Sequence, residues 1–460
     1  MTKYRLTYSL LSILMLSSSC SQEEIGGSDN GPEAGRIAFS ASLPEVSSRA
    51  TEVTGSTLEN FCVSSFTVTS SSVSPYFLYK TFSKSVTGKF LSYDPECYWP
   101  NNDDRLRFVA FAPSCEDMRQ AGGFSETDFT IPSLVKGETM ASDEYKLSGF
   151  RVANDIASQI DFITAIAYGK LLDDEEEGIT LDFHHQLSRI ELKAWGNSKS
   201  YDVEIAGVRL GGVATQGVFS FISGNDTDDA SKAGNWESVT KGSVDYIYRN
   251  GDNIVMLDKS EGSPLSSDKA VSIMGSKVGG ETGYDNSAML IPSANPAWSY
   301  KDNAANGENN ADGMYFSVLL RVTDRTPYDD GKLVYPYTDN SDGMEVIYFA
   351  VDKDTNKTIR TRLYKNGDEY FTDASFTSKY DLAANSAEVK AFGWAALPIG
   401  DEWKPGYVYT YTLNYSDGVG LRDPRDPKPG DPIISDRVLV NVDIAEWKAG
   451  SVTDVSVPRK

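Results

Sequence analysis

Apolar residues recur at every second position along this chain, in short runs that polar turns separate. The first clear run places four apolar residues on one face: Ile37, Phe39, Ala41 and Leu43. This period of two, ended by Pro44, predicts a strand with one buried face. Further strands are predicted at 61–69, 76–82, 106–112, 179–183, 187–195, 203–210, 218–221, 314–323, 345–351, 407–413 and 438–444. Since no long amphipathic helical period appears, the sequence predicts an all-β chain of Greek-key β-sandwich or barrel type.

The last strong alternation also has one apolar face, formed by Val438, Val440, Val442 and Ile444. Asn441 and Asp443 occupy the opposite face. Val455 and Val457 form a weaker strand-like pattern in the short tail that follows. We therefore expect the last core strand to end near residue 444.

The N-terminus has the layout of a secretory signal peptide. Basic Lys3 and Arg5 precede an apolar core at 10–16, and three serines lead to Cys20. Small residues before a Cys are typical of a lipoprotein cleavage site, so we expect a signal peptide at 1–19 and a lipid on Cys20. The acidic residues at 23–24 resemble a signal for export to the cell surface. The simpler alternative is an ordinary signal peptide followed by an incidental Cys.

The length of 460 residues favours two domains. Residues 20–35 are rich in Gly, Ser and acidic residues and predict a flexible tether. The polar segment 196–200 is the candidate boundary, which divides the folded part into an N-terminal domain at 36–199 and a C-terminal domain at 200–460. Between the first two predicted strands, a Ser/Thr-rich loop at 45–57 contains Arg49.

The composition limits the classes of partner. With 43 basic and 66 acidic residues, the formal net charge is −23, so the chain repels nucleic acid and anionic lipid. The 25 Tyr and 20 Phe favour strands, and the 38 Gly and 19 Pro suit many turns. These features indicate a soluble, acidic surface protein with no nucleic-acid partner.

No motif predicts catalysis, a cofactor or a metal. The chain has no nucleophile elbow, phosphate loop or metalloprotease helix. His184 and His185 are adjacent on a predicted strand, so they point to opposite faces, one packed on the core and bonded to backbone, the other exposed. The acidic run 173–177 and the segment 339–343 are interpreted as turns, because neither has the spacing of a calcium loop. The sequence thus indicates a protein that is not an enzyme.

Three cysteines remain if Cys20 carries lipid. Cys62, Cys97 and Cys115 can form at most one internal disulfide, and the alternative is that all three stay unpaired. The sequence leaves this choice open.

The polar, Gly-rich stretch 225–312 predicts long surface loops, where a binding face is expected on a β scaffold. It contains six aromatic residues that suit stacking on sugar rings: Trp236, Tyr246, Tyr248, Tyr284, Trp298 and Tyr300. A monomeric, surface glycan-binding lipoprotein is therefore the alternative function. The other interpretation of these residues is that they pack in the core or in turns.

Eight features occur in order along the chain: 37–40, 98–100, 106–113, 161–165, 181–190, 403–409, 429–433 and Trp447. Together they resemble the fimbrillin family of pilus subunits. The most specific is 181–190, with the sequence LDFHHQLSRI. The resemblance covers nearly the whole chain after the tether.

The resemblance implies two transthyretin-like β-sandwich domains and assembly by strand exchange. Subunits of this family travel to the outer membrane as lipoproteins, and an Arg-specific protease removes the first strand together with the lipid. In this chain the cut would follow Arg49, and the displaced strand would carry Ile37, Phe39, Ala41 and Leu43. A neighbouring subunit would supply the donor, either 436–444 or the tail with Val455 and Val457. The alternative is an anchor or stand-alone lipoprotein whose first strand stays in place. Other pilus subunits are the expected partners, with host or bacterial surface glycans or proteins as adhesion targets.

Overall fold

The chain is almost entirely β-structure. The computed structural model describes residues 35–43, 57–69, 73–101, 104–114, 133–136, 145–154, 159–221, 234–246, 254–259, 262–274, 287–300, 309–325, 331–338, 343–434 and 438–447. Of the residues that the structure describes, strands make up 58% and helices 2%, which confirms the predicted all-β class. No helix within the described ranges is long and apolar enough to cross a bilayer.

The strands are numbered in chain order. They are β1 (Ala38–Ser42), β2 (Asn60–Val68), β3 (Val73–Lys84), β4 (Phe90–Leu91), β5 (Arg105–Ala112), β6 (Ser133–Lys136), β7 (Tyr145–Arg151), β8 (Ile163–Gly169), β9 (Ile179–Asp182), β10 (His184–His185), β11 (Ser188–Trp195), β12 (Tyr201–Phe221), β13 (Asn235–Tyr246), β14 (Val255–Leu257), β15 (Val271–Ser272), β16 (Ala288–Leu290), β17 (Ala294–Asn295), β18 (Tyr315–Asp324), β19 (Lys332–Tyr335), β20 (Ile347–Asp352), β21 (Thr358–Asn366), β22 (Glu369–Phe371), β23 (Ala387–Pro398), β24 (Asp401–Glu402), β25 (Tyr407–Asn414), β26 (Leu421–Arg422) and β27 (Leu439–Glu446). A single-turn helix, α1 (Leu171–Asp174), precedes β9, and a short 3-10 helix spans Ser267–Lys269.

The first sheet contains eight strands in the order β10-β8-β5-β2-β3-β4-β1-β9. It curls over, so that strands distant in this order face each other. Phe39 on β1 and Phe108 on β5 have ring centroids 5.1 Å apart, although β4, β3 and β2 lie between their strands. The curled sheet therefore encloses a core of its own, which includes Phe61, Phe82, Leu106, Ile163 and Leu181.

A twelve-stranded sheet and a five-stranded sheet form most of the rest of the fold. In the twelve-stranded sheet, eight strands follow the order β22-β21-β20-β23-β18-β12-β7-β6, while β13 and β14 also pair with β12, β19 with β18 and β26 with β23. The five-stranded sheet has the order β15-β11-β25-β27 with β16 also paired with β11, and β17 and β24 form a separate pair. Phe316 on β18 and Tyr411 on β25 meet at 4.8 Å, so the two sheets pack face to face. Their inner faces contribute to one large apolar core that runs from Cys62 to Trp447.

The first sheet packs its outer face against this larger core. Phe66 on β2 stacks on Tyr145 of β7 with ring centroids 3.9 Å apart, and Phe111 on β5 lies 6.4 Å from Phe221. The central residues of β2 and β5 are consequently buried on both faces. A strand buried on both faces loses the alternation that a solvated strand shows.

The strand pairing crosses the boundary that the sequence predicts at residue 200. Strands β7 and β11 precede it, yet β7 pairs with β12, and β11 runs parallel to β25. Both ladders join residues on the two sides of residue 200. The division into domains at 36–199 and 200–460 stays a prediction, as do their number and Greek-key topology.

The segment predicted as two strands, 203–210 and 218–221, is a single strand, β12. The glycines between them do not form a turn. A Cβ on Gly211 would overlap the ring of Tyr315, and Gly212 has a φ of 69°. The glycines instead produce a bulge, seen as a register shift between Gly211 and Val213, that lets β12 continue past the aromatic ring.

Candidate functional site

The predicted first strand, β1, is hydrogen-bonded on both sides. It pairs antiparallel with β4 and parallel with β9. β1 is therefore not an edge strand, because β9 lies beyond it at this end of the sheet. We call the space between β4 and β9 that residues 36–43 occupy the first-strand slot. If β1 left, the slot would present backbone donors and acceptors on both rims.

The apolar face of β1 is buried as its alternation predicts. Ile37, Phe39 and Leu43 are buried, and Ala41 packs half-buried against the same core. Phe39 is fully enclosed, with the rings of Phe82 at 4.8 Å, Phe108 at 5.1 Å and Phe61 at 6.1 Å. The side chain of Phe39 is therefore the main apolar anchor of β1.

The opposite face of β1 is mostly polar. The hydroxyl groups of Ser40 and Thr180 are hydrogen-bonded at 3.0 Å, and Ser42 is exposed. Ala38 is the exception, since it is buried beside Gly178, where a Cβ would clash with the Ala38 carbonyl. Solvent on this side explains why the alternation is visible in the sequence.

Arg36, directly ahead of β1, is a buried arginine with three partners. Its side chain is only 7% exposed. One guanidinium nitrogen, Nη2, donates to the Ser92 carbonyl at 2.6 Å, and Nη1 lies 3.5 Å from Glu96 Oε1. The guanidinium also lies 5.4 Å from the centre of the Tyr93 ring. We call Ser92, Tyr93 and Glu96 the cation subsite. The sequence interpretation gave Arg36 no role.

The backbone around Arg36 pairs with the segment that carries this subsite. The amide of Ile37 donates to the Cys97 carbonyl at 2.9 Å, and the amide of Trp99 donates to the Gly35 carbonyl at 2.9 Å. Residues 35–37 thus contact the 92–99 segment through backbone hydrogen bonds and through the Arg36 side chain.

A hollow of about 340 Å³ lies beside the 92–99 segment. Its lining includes Tyr76, Phe77, Lys80, Glu96 and Tyr98. Cys97 also lines it, and burial raises the pKa of that thiol. Cys97 and Cys62 belong to different cores, so they do not bond to each other, and Cys115 lies outside the described residues.

The candidate donor β27 is lightly packed. It lies at the end of the five-stranded sheet, where it pairs with β25. Of its apolar face only Val442 is buried, while Val438, Val440 and Ile444 are half-buried. Leu439, on the other face, is 53% exposed. Such a strand costs less to withdraw than one inside a sheet.

Trp447 anchors the far end of β27. Its ring stacks on His185 with centroids 4.1 Å apart and planes 3° from parallel, and its amide donates to the Gly406 carbonyl at 2.7 Å. At the edge of the same imidazole ring, His185 Nδ1 pairs with the Asp161 carboxylate at 3.0 Å. The sequence resemblance included Trp447 without indicating this contact.

The two histidines point to opposite faces, as predicted. His185 is buried, but its partner is a carboxylate rather than the backbone. His184 is half-buried and lies 3.5 Å from Asp182. Across the described ranges no three His, Cys, Asp or Glu side chains form a group that could hold a metal ion.

The described aromatics of the glycan-binding alternative do not form one platform. Trp236 packs against the rings of Phe150 and Phe219, and its Nε1 donates to the Gln186 carbonyl at 2.6 Å. Trp298 is buried, and Tyr300 is exposed. Tyr246 ends β13, while Tyr248 and Tyr284 lie outside the described residues.

Four further candidate site residues also lie outside the described residues: Cys20, Arg49, Val455 and Val457. The first two residues of the candidate donor 436–444 lie outside them as well. Their roles in lipidation, proteolysis and donation stay predictions.

Comparison with known proteins identifies the family. A profile described as fimbrillin-like matches residues 48–447, so the chain belongs to the fimbrillin-like family. The match begins after β1 and ends at Trp447. Membership supports a fimbrial or adhesive subunit as the class of protein. No curated protein sequence matches the chain.

Solved structures to which this chain is similar include proteins from Bacteroides and Parabacteroides species. A fimbrial protein from Bacteroides vulgatus is 14% identical, with 90% of this chain and 99% of that chain covered and a TM-score of 0.47. A candidate cell adhesion protein from Bacteroides ovatus is 12% identical, with coverages of 91% and 99% and a TM-score of 0.37. Another, from Parabacteroides distasonis, is 12% identical, with coverages of 90% and 100% and a TM-score of 0.36.

Proposed function

We propose that this chain is a structural, adhesive subunit of a cell-surface fimbrium that assembles by strand exchange. Proteolysis after Arg49 would separate β1 from the rest of the chain, and a strand of a neighbouring subunit would then take its place. The observation that carries the proposal is the position of β1, bonded on both sides with its apolar face in the core. Family membership supports the same class and favours a protein without catalytic activity.

The burial of β1 makes an empty slot costly. Each large apolar side chain that leaves the core gives up about 1.5–3 kcal/mol. Ile37, Phe39 and Leu43 are three such residues, and the rim hydrogen bonds of β4 and β9 would be lost as well. A cut alone therefore does not release β1. Exchange requires a competing strand that restores both the burial and the ladders.

Residues 436–444 of the neighbouring subunit, which contain most of β27, are the preferred donor strand. It has four apolar residues with the strand period, and its described part, 438–444, lies at the end of the five-stranded sheet. Val455 and Val457 are the other candidates. In either case the partner is another subunit of the same pilus.

The sequence supports export before assembly. We propose that the signal peptide at 1–19 directs the chain out of the cytoplasm and that lipid on Cys20 tethers it to the outer membrane. Removal of the segment before residue 50 would then release lipid and β1 together. Labelling cells with a fatty-acid analogue should mark the wild-type chain, and Cys20→Ala should lose the label. A labelled Cys20→Ala chain would refute the lipid assignment.

A capture experiment tests the exchange. A fluorescent peptide spanning 436–447 is offered to the intact protein and to protein cut after Arg49. The cut protein should bind the peptide slowly, as β1 is displaced, and the intact protein should not bind it. A control peptide with Val440→Asp should fail with both, because it would bring an unpaired charge into the core. Equal binding by cut and intact protein would contradict strand exchange.

A further inference from the structure

We infer that the cation subsite sets the register of the incoming strand by binding a basic side chain directly ahead of its apolar alternation. In a second copy of this chain, that side chain is Arg437. The inference rests on the proposed function, since it concerns the slot that β1 would leave.

The apolar face alone does not determine a register. A strand that slips by one residue turns its apolar side chains away from the core, but a slip of two residues keeps them on the same face. Val438, Val440, Val442 and Ile444 are four similar branched residues, so registers two residues apart bury nearly the same groups. A marker of another chemistry is needed to choose among them.

The cation subsite has the chemistry of such a marker. It offers the Ser92 carbonyl at 2.6 Å and the Glu96 carboxylate at 3.5 Å to Arg36, beside the Tyr93 ring. The hydroxyl of Tyr98 donates to the second carboxylate oxygen of Glu96, which orients that group. Carbonyl, carboxylate and ring face together favour a guanidinium. A neutral side chain at this position would leave the buried carbonyl without its donor.

The sequence 437–444 repeats the Arg-led apolar alternation of residues 36–43. Arg36 is followed by apolar residues at the first, third, fifth and seventh positions, and Arg437 is followed by apolar residues at the same four positions. Of the residues between them, Ser40 and Ser42 are matched by the polar Asn441 and Asp443, while Ala38 is matched by the larger Leu439. In this register Asn441 would lie beside Thr180, the hydroxyl partner of Ser40.

The enclosed position of Phe39 provides an independent register marker. The matched register places Val440, a smaller side chain, among Phe61, Phe82 and Phe108, and Val442 in the position of Ala41. A larger side chain at 440 would fill space, whereas one at 442 would crowd the core. Registers shifted by two residues predict a different pair of effects.

The test compares variant peptides spanning 436–447 in their binding to the full chain cut after Arg49. Arg437→Met should weaken binding about tenfold, the loss of one charge-assisted hydrogen bond. Val440→Phe should tighten binding about tenfold, and Val442→Phe should weaken it by a similar factor. These peptides leave the receptor unchanged, so none of these results depends on the folding of a variant protein.

A double-mutant cycle assigns the effect of Arg437 to the subsite. With Glu96→Gln receptor, which circular dichroism must show to be folded, the penalty of Arg437→Met should shrink to about threefold or less. An unchanged penalty, or equal binding by all peptides, would overturn the register inference and leave strand exchange standing. Failure of every peptide to bind would refute the proposed function, and the inference with it.

Discussion

Replacing Phe39 by aspartate should destabilise the intact protein by more than about 4 kcal/mol, as expected when a core aromatic is lost and an unpaired charge is buried. Phe39 is fully enclosed by three phenylalanine rings, and the part of the first sheet's core around it is apolar. A carboxylate at this position has neither water nor a cation as a partner. Denaturant unfolding at neutral pH measures the loss.

Ser42→Asp is the matched control for this prediction. Ser42 lies on the same strand, but its side chain is exposed. The same charge there should change the free energy of unfolding by less than about 0.5 kcal/mol, as for most surface substitutions. Similar losses in the two variants would mean that β1 is not anchored through its apolar face.

The Phe39→Asp strand should also leave more easily once it is cut. Covalent connection to the rest of the chain is what keeps a weakened strand near its slot. After proteolysis, the variant should therefore exchange faster than wild type. A cut variant that retains β1 as long as the wild type does would contradict the role assigned to Phe39.

The alternation of apolar residues predicted the class of the fold and the buried face of β1. It succeeded at 37–43 because solvent lies over Ser42, on the other face. It could not reveal that β1 lies between two strands, because β9, one of its partners, lies about 140 positions further along the chain. It also divided β12 in two, because Gly211 and Gly212 indicate a turn unless the approach of Tyr315 is known.

The candidate site was only partly accessible to sequence reasoning. Ile37, Phe39 and Leu43 follow from the strand period, but a lone arginine ahead of a strand normally predicts exposure. Arg36 is buried because Ser92, Tyr93 and Glu96 come from a segment more than fifty residues away. A signal that could have pointed to Arg36 is the repetition of the Arg-led alternation at Arg437, which becomes meaningful only when β1 and β27 are compared.

The packing of the aromatic residues of 225–312 likewise depends on residues that are distant in the sequence. Stretches rich in glycine and polar residues predict loops, and exposed aromatics in loops favour sugar binding. Trp236 instead belongs to β13 and packs beside Phe219, a contact that no local pattern shows. The sequence identified the residue type and not its neighbours.

The central claim is that cutting after Arg49 makes the chain competent to assemble. Its most direct measurement is the size distribution of purified protein, by size-exclusion chromatography with light scattering, before and after digestion with an Arg-specific protease. Wild-type protein should form species larger than a monomer, whose main chain begins at Ala50 by N-terminal sequencing. Arg49→Lys keeps the charge but removes the cleavage site, so this variant should stay monomeric.

A Lys-specific protease provides the matched rescue. It should cut Arg49→Lys in the same loop and restore assembly, which separates the effect of the cut from that of the substitution. The account predicts assembly only where a protease has cut after residue 49. Assembly of uncut Arg49→Lys to the same extent as digested wild type, or wild-type protein cut cleanly at Ala50 that remains monomeric at high concentration, would contradict it.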